Sequence, residues 1–143
     1  MADDLRQAMR AVFAEFPEVV AAYLFGSRAA GRPRRSSDVD VAVVFDAGTD
    51  REHRFMARCL LSERLASAAG VASADVVDLE TATPLLAHEV LRGGRLLFSR
   101  NEHRRVPVAA RQMMRYIDSR PMRRVLDEAT FRRLREGTLG RLA

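Results

Sequence analysis

Two short stretches carry side chains that could do chemistry together: Gly26-Ser27 and, after ten intervening residues, Asp38-Val39-Asp40. Alternate side chains of a strand share a face, so Asp38 and Asp40 point one way while Val39, Val41 and Val43 enter the opposite layer. Two carboxylates side by side at the edge of a core repel each other and lose hydration, so a positive group is needed to keep both ionised. Arginine or Mg²⁺ could fill that place. Mg²⁺ suits an all-oxygen ligand set better, and paired carboxylates can bridge two ions about 3.5–4 Å apart for in-line phosphoryl or nucleotidyl displacement. A turn at Gly26-Ser27 supplies the complement. Without a Cβ the backbone can approach a phosphate, and the Ser27 hydroxyl and nearby N–H groups can donate to it. Taken singly, such stretches are ordinary helix caps or solvated strand ends. In this order, with apolar runs on both outer sides, they are much more specific.

Gly26 and Gly31 also have the spacing of an ATPase phosphate loop, but the next two positions exclude one. That loop continues into Lys and Ser or Thr on a helix, and here the chain has Arg32 and Pro33. Proline lacks the N–H a phosphate would need and turns Arg32 away from helical geometry.

The elements around these residues follow from the apolar pattern. Residues 3–16 repeat Leu5, Met9, Val12 and Phe13 at helical spacing behind Asp3 and Asp4, as expected for an amphipathic helix with acids at its positive end. EVVAAYLF reads as a buried strand that delivers Gly26-Ser27 at its exit, and residues 28–37 as a loop or a short helix plus loop. DVDVAVVF is a second strand. Thr49 and Glu52 predict a capping box for a helix carrying Phe55, Met56, Cys59, Leu60 and Ala66, closed by Gly70. ADVVDLE is a third strand, TPLLAHEVLRGG a helix with Pro84 in its first turn, and RLLFS a fourth strand. From Asn101, the positions Val106, Ala110, Met113, Met114 and Ile117 keep helical spacing, and Met122, Val125, Leu126 and Ala129 resume it after Pro121. The expected fold is α/β (α+β): a mixed sheet flanked by helices over residues 1–100, and an arginine-rich helical extension over 101–143 packed on it as one domain.

Composition narrows the chemistry. All 24 basic residues are arginine, so no Schiff-base or phosphate-loop lysine exists. Cys59 is the only cysteine; it excludes an intrachain disulfide or C-x-x-C site and is expected as a small core residue. His53, His88 and His103 lack ligand spacing, which leaves any metal to oxygen donors. No apolar run approaches a membrane span, and the acidic start is unlike a signal peptide, so a cytoplasmic protein is expected. The net charge of +5 belongs to the extension, where residues 101–143 hold 11 Arg against 5 acids.

With Gly26-Ser27, the ten-residue gap and Asp38-x-Asp40 in place, the chain resembles the minimal nucleotidyltransferases of the DNA polymerase beta superfamily. The likeness extends to a third acid in ADVVDLE. It implies that Gly26 and Ser27 bind the ATP triphosphate and that Asp38 and Asp40 ligate Mg²⁺. It further implies that Asp75, an acid followed by apolar strand residues, completes the carboxylate set and helps the second metal or takes a proton from the attacking hydroxyl. Asp78 is the other candidate for that third place, but by alternation it faces the opposite side of its strand. The stretch YIDSRPMRRVLDEATFRRLREGTLG resembles the C-terminal helix of MNT antitoxins, which are paired with HEPN ribonuclease toxins. This likeness implies AMP transfer from ATP onto a tyrosine of such a toxin. Arg123, Arg124, Arg132 and Arg133 are then expected to assist docking by charge.

Three other functions compete. Transfer to an aminoglycoside-like small molecule would use the same carboxylates but usually needs a further acceptor-binding domain. Inhibition by binding alone would not need an intact carboxylate set. Direct nucleic-acid binding through the extension is disfavoured by the few aromatic platforms.

Overall fold

The computed structural model describes residues 3–26 and 39–136. In chain order the elements are α1 (Asp3–Ala14), β1 (Val19–Phe25), β2 (Val39–Phe45), α2 (Arg51–Ala69), β3 (Ala74–Asp78), α3 (Pro84–Gly93), β4 (Arg95–Ser99), α4 (Glu102–Asp118) and α5 (Arg120–Arg135). The strands form one sheet in the order β3-β2-β1-β4. β1 runs antiparallel to both β2 and β4, whereas β2 and β3 are parallel. A parallel pair needs a crossover long enough to return the chain to the same end of the sheet, and α2 provides it. The expected mixed α+β architecture is the observed one.

Helices cover both faces of the sheet, which is why every residue of β1 is buried. On one face, Met9 and Phe13 of α1 and Leu61 and Leu65 of α2 pack on Leu24, Val41 and Val43. On the other, Ala87 and Val90 of α3 and Val108 of α4 pack on Tyr23, Phe25, Ala42 and Val44. The strands therefore read as continuous apolar runs, and the one partly exposed position in β2 is Asp40.

The helix ends follow local chemistry, with one difference from expectation. α2 is capped by Asp50, not Thr49: the Asp50 carboxylate accepts the His53 N–H at 2.8 Å. Thr49 instead offers its carbonyl to Arg54 Nε at 2.8 Å, which starts the helix one residue later. Gly70 closes α2 in the left-handed region at φ 67°. Thr83 caps α3 ahead of Pro84, and Asn101 caps α4 by accepting the Arg104 N–H.

Two helices turn a different face inward from the one their apolar spacing suggests, and a third turns none. α2 buries Ala57, Leu61 and Leu65 and leaves Phe55, Met56 and Leu60 more than half exposed. Cys59, expected in the core, is also exposed. Only one stripe of α2 can meet the sheet, and the row that does so carries Arg54 at its N-terminal end. α4 buries Val108 and Gln112, and Gln112 Nε2 donates to the carbonyls of Leu79, Glu80 and Ala82, clamping the chain after β3. Val106, Met113, Met114 and Ile117 face outward. Val108 and Gln112 thus seat α4, whereas α5 buries no residue.

At the C-terminal ends of β2 and β3, an ion-pair cluster ties the sheet to two helices. Arg54 Nη1 contacts Asp78 Oδ2 at 3.1 Å and Glu80 Oε1 at 2.8 Å; Arg104 Nη2 reaches the same Glu80 oxygen at 2.8 Å and its Nε donates to the Phe45 carbonyl. Burial pushes the Glu80 carboxyl up, but the two guanidiniums outweigh it and hold the group below the ordinary carboxylate range.

Candidate functional site

The candidate site lies at the opposite end of β2 from that cluster. Asp40 is the second residue of β2 and pairs with Phe25, the last residue of β1. The chain leaves β1 through Gly26, whose φ of +76° is in the region that side chains rarely adopt. A Cβ added at Gly26 would lie 2.5 Å from Asp40 Oδ2. The glycine is thus fixed twice, by its backbone and by the carboxylate lying against it. Gly26→Ala is expected to cost about 1–2 kcal/mol of stability through its left-handed backbone. It should also cut nucleotidyl transfer far more than that loss explains, because the new methyl displaces the Asp40 carboxylate. Melting and transfer measured together check this, and full transfer in Gly26→Ala would detach Asp40 from the reaction.

Across the parallel ladder, Asp40 is in register with Asp75, the second residue of β3. In-register residues of neighbouring strands share a face, with strands about 4.8 Å apart. That face is the one covered by α3 and α4, since Ala42 and Val77, two positions further along each strand, belong to that core cluster. Asp75 is exposed and Asp40 half-buried, so a solute can reach both. Asp78 projects to the other face, is 5 % exposed, and is committed to Arg54 and to the Glu80 N–H at 2.9 Å.

Of the five residues singled out in the sequence, Gly26, Asp40 and Asp75 are brought together. Ser27 and Asp38 lie outside the described residues, as do residues 28–37, expected as a loop or a short helix plus loop. Among the described residues no group of three His, Cys, Asp or Glu side chains is arranged to hold a metal ion. The described donors do suit Mg²⁺: two oxygen-only carboxylates on neighbouring strands, beside a glycine turn whose open space belongs to Asp40. The cluster of Arg54, Asp78, Glu80 and Arg104 was not singled out in the sequence. Its partners lie 24 to 26 residues apart, and no local spacing announces them.

A mixed sheet that sets a glycine turn against a strand-borne carboxylate pair is the arrangement of a nucleotidyltransferase. The chain belongs to the Polymerase beta, Nucleotidyltransferase family, which matches residues 7–103. Among individual relatives, it is 37% identical over 82 residues to the protein adenylyltransferase MntA of Shewanella oneidensis. That alignment covers 57% of this chain and 55% of MntA, so the chain spans little more than half the length of this curated relative. A solved toxin–antitoxin structure with AMP-PNP superposes with a TM-score of 0.72 at 26% identity, covering 88% of this chain and 98% of that one. A variant MntA toxin–antitoxin complex gives a TM-score of 0.68, also at 26% identity, over 87% and 95% of the two chains.

Proposed function

We propose that this chain is a Mg²⁺-dependent protein adenylyltransferase acting as an antitoxin, which transfers AMP from ATP to a tyrosine of a HEPN ribonuclease toxin. The observation that carries the reading is the register of Asp75 beside Asp40, in a sheet whose turn at Gly26 leaves room for the Asp40 carboxylate. The adenylyltransferase name of the Shewanella relative and the AMP-PNP in the matching toxin–antitoxin structure support it.

In this reading Gly26 and Ser27 hold the triphosphate by backbone N–H groups and a hydroxyl. Asp38, Asp40 and Asp75 would hold Mg²⁺, whose chemistry here is to neutralise the triphosphate and the departing pyrophosphate. The tyrosine oxygen attacks the α-phosphorus in line with the bridging oxygen to the β-phosphate. One P–O bond forms and one breaks, and pyrophosphate leaves with the electron pair. Asp75, more exposed than Asp40, would take the phenolic proton. No described helix is long and apolar enough to cross a membrane, and a reaction using ATP and silencing a ribonuclease belongs in the cytoplasm.

The test is to incubate the chain with ATP, Mg²⁺ and the purified HEPN-type protein encoded beside it. The expected result is addition of AMP mass to a tyrosine peptide of that protein and loss of its ribonuclease activity. Neutralisation without any adduct would replace this reading with inhibition by binding alone, and an adduct on a small-molecule acceptor only would replace it with small-molecule transfer.

A further inference from the structure

We infer that the outer faces of α4 and α5 form the docking surface for the acceptor protein, and that they fit a helical surface with an apolar centre and an acidic rim. The inference rests on the adenylyltransferase reading and adds to it the place where the acceptor is held. α4 is apolar on two sides. Its inner side is used by Val108 against the sheet, while Val106, Met113 and Ile117, at helical spacing of seven and four residues, point outward and are each about half exposed. Eleven residues of helix make this row about 16 Å long. α5 continues it with Met122, Val125, Leu126 and Ala129, and the first three are each 58–64 % exposed. An apolar row of this length in contact with water marks an interaction site. Met113, Met114 and Met122 supply unbranched, polarizable side chains able to follow a partner's contour.

Charge selects the occupant. Residues 102–136 carry ten arginines against five acids, so a second copy laid on this face would bring like charge against like. A nucleic acid would lay phosphates over methyl and thioether groups. An acidic-rimmed protein satisfies both the row and its border. Not every arginine is offered to it. The Arg123 guanidinium lies 3.7 Å over the Tyr116 ring and donates to the Tyr116 carbonyl, and His88 stacks on the same ring, also at 3.7 Å. Arg123 thus fixes α5 to α4, and the exposed Arg124 and Arg132 are left for the rim. The surface is joined to the reaction because α4 covers the same sheet face from which Asp40 and Asp75 project.

The test uses Met113→Asp/Ile117→Asp, Met122→Asp/Leu126→Asp and Arg124→Glu/Arg132→Glu, all at exposed positions where the fold is indifferent. Binding of ATP is read for each, together with association with, and AMP transfer to, the purified HEPN-type protein encoded beside this chain. The two apolar variants should weaken association by about 100-fold. The arginine variant should slow it by about tenfold and flatten its salt dependence. ATP affinity should stay within about twofold throughout, since no changed residue adjoins the site. Native-like association and transfer in both apolar variants overturn the docking surface while leaving the adenylyltransferase reading intact. A native chain that neither binds nor modifies the toxin overturns that reading, and the docking inference with it. A native dimer that these variants dissolve, or binding to RNA or anionic vesicles that they abolish, overturns the inference in favour of that occupant.

Discussion

Asp40→Asn is expected to lower AMP transfer by roughly three orders of magnitude, the several kcal/mol that charge stabilisation of a phosphoryl transition state supplies. The substitution keeps the shape of the side chain and removes its charge. Because Asp40 stands beside Asp75 across the ladder, losing one of two neighbouring negative charges relieves repulsion that offsets the contacts the carboxylate gives up, and Tm should stay within a few degrees of native. A fall in activity without a fall in stability is the signature of a group whose charge serves the reaction. Asp38→Asn should behave alike if its side chain shares that face. Melting curves and Mg²⁺-dependent transfer, run on the same preparations, decide the matter. Full activity in Asp40→Asn would remove Asp40 from the site. The same variant should still associate with the toxin, which separates catalysis from steric inhibition.

The strands and the half of the site borne by β1 and β2 were legible because both are local. Valine-rich runs ended by Gly26 and by Asp46 mark β1 and β2, and Gly26-Ser27 with Asp38-x-Asp40 are contiguous words. The pairing of β3 with β2 was not legible in the same sense. Alternation separates Asp75 from Asp78, but nothing within ADVVDLE states which of them meets Asp40; the register across the parallel ladder does. The helices show the converse limit. Periodicity identifies residues that share a face of α2, α4 or α5 without saying whether that face meets the sheet. Phe55, Met113 and Met122 all have core-like spacing and all end in solvent. The position of Cys59 follows from the same ambiguity, since it shares the outward face of α2 with Phe55 and Met56.

Asp75 and Asp78 should part company under mutation, although they stand on one short strand. Asp75→Asn is expected to lower transfer by about 10²–10⁴-fold, the range for a lost general base. Tm should be unchanged, because Asp75 is exposed. Asp78→Ala is expected to do the reverse. It strips Arg54 of one of its two carboxylates and leaves the Glu80 N–H without its acceptor, in a place where the Asp78 side chain is only 4% exposed. Breaking a buried pair costs about 3–5 kcal/mol, and the surviving Arg54–Glu80 contact puts this case near 3. For a chain of this size that is a fall in Tm of roughly 10 °C. Transfer by Asp78→Ala should nevertheless be close to native when assayed well below its own Tm, since the ion-pair cluster sits at the far end of the sheet from Asp40. Assays in the cold, with the folded fraction followed by circular dichroism, keep the two effects apart. If folded Asp78→Ala is inactive and Asp75→Asn is active, the third carboxylate is Asp78, and the paired register of Asp40 and Asp75 has no part in the reaction.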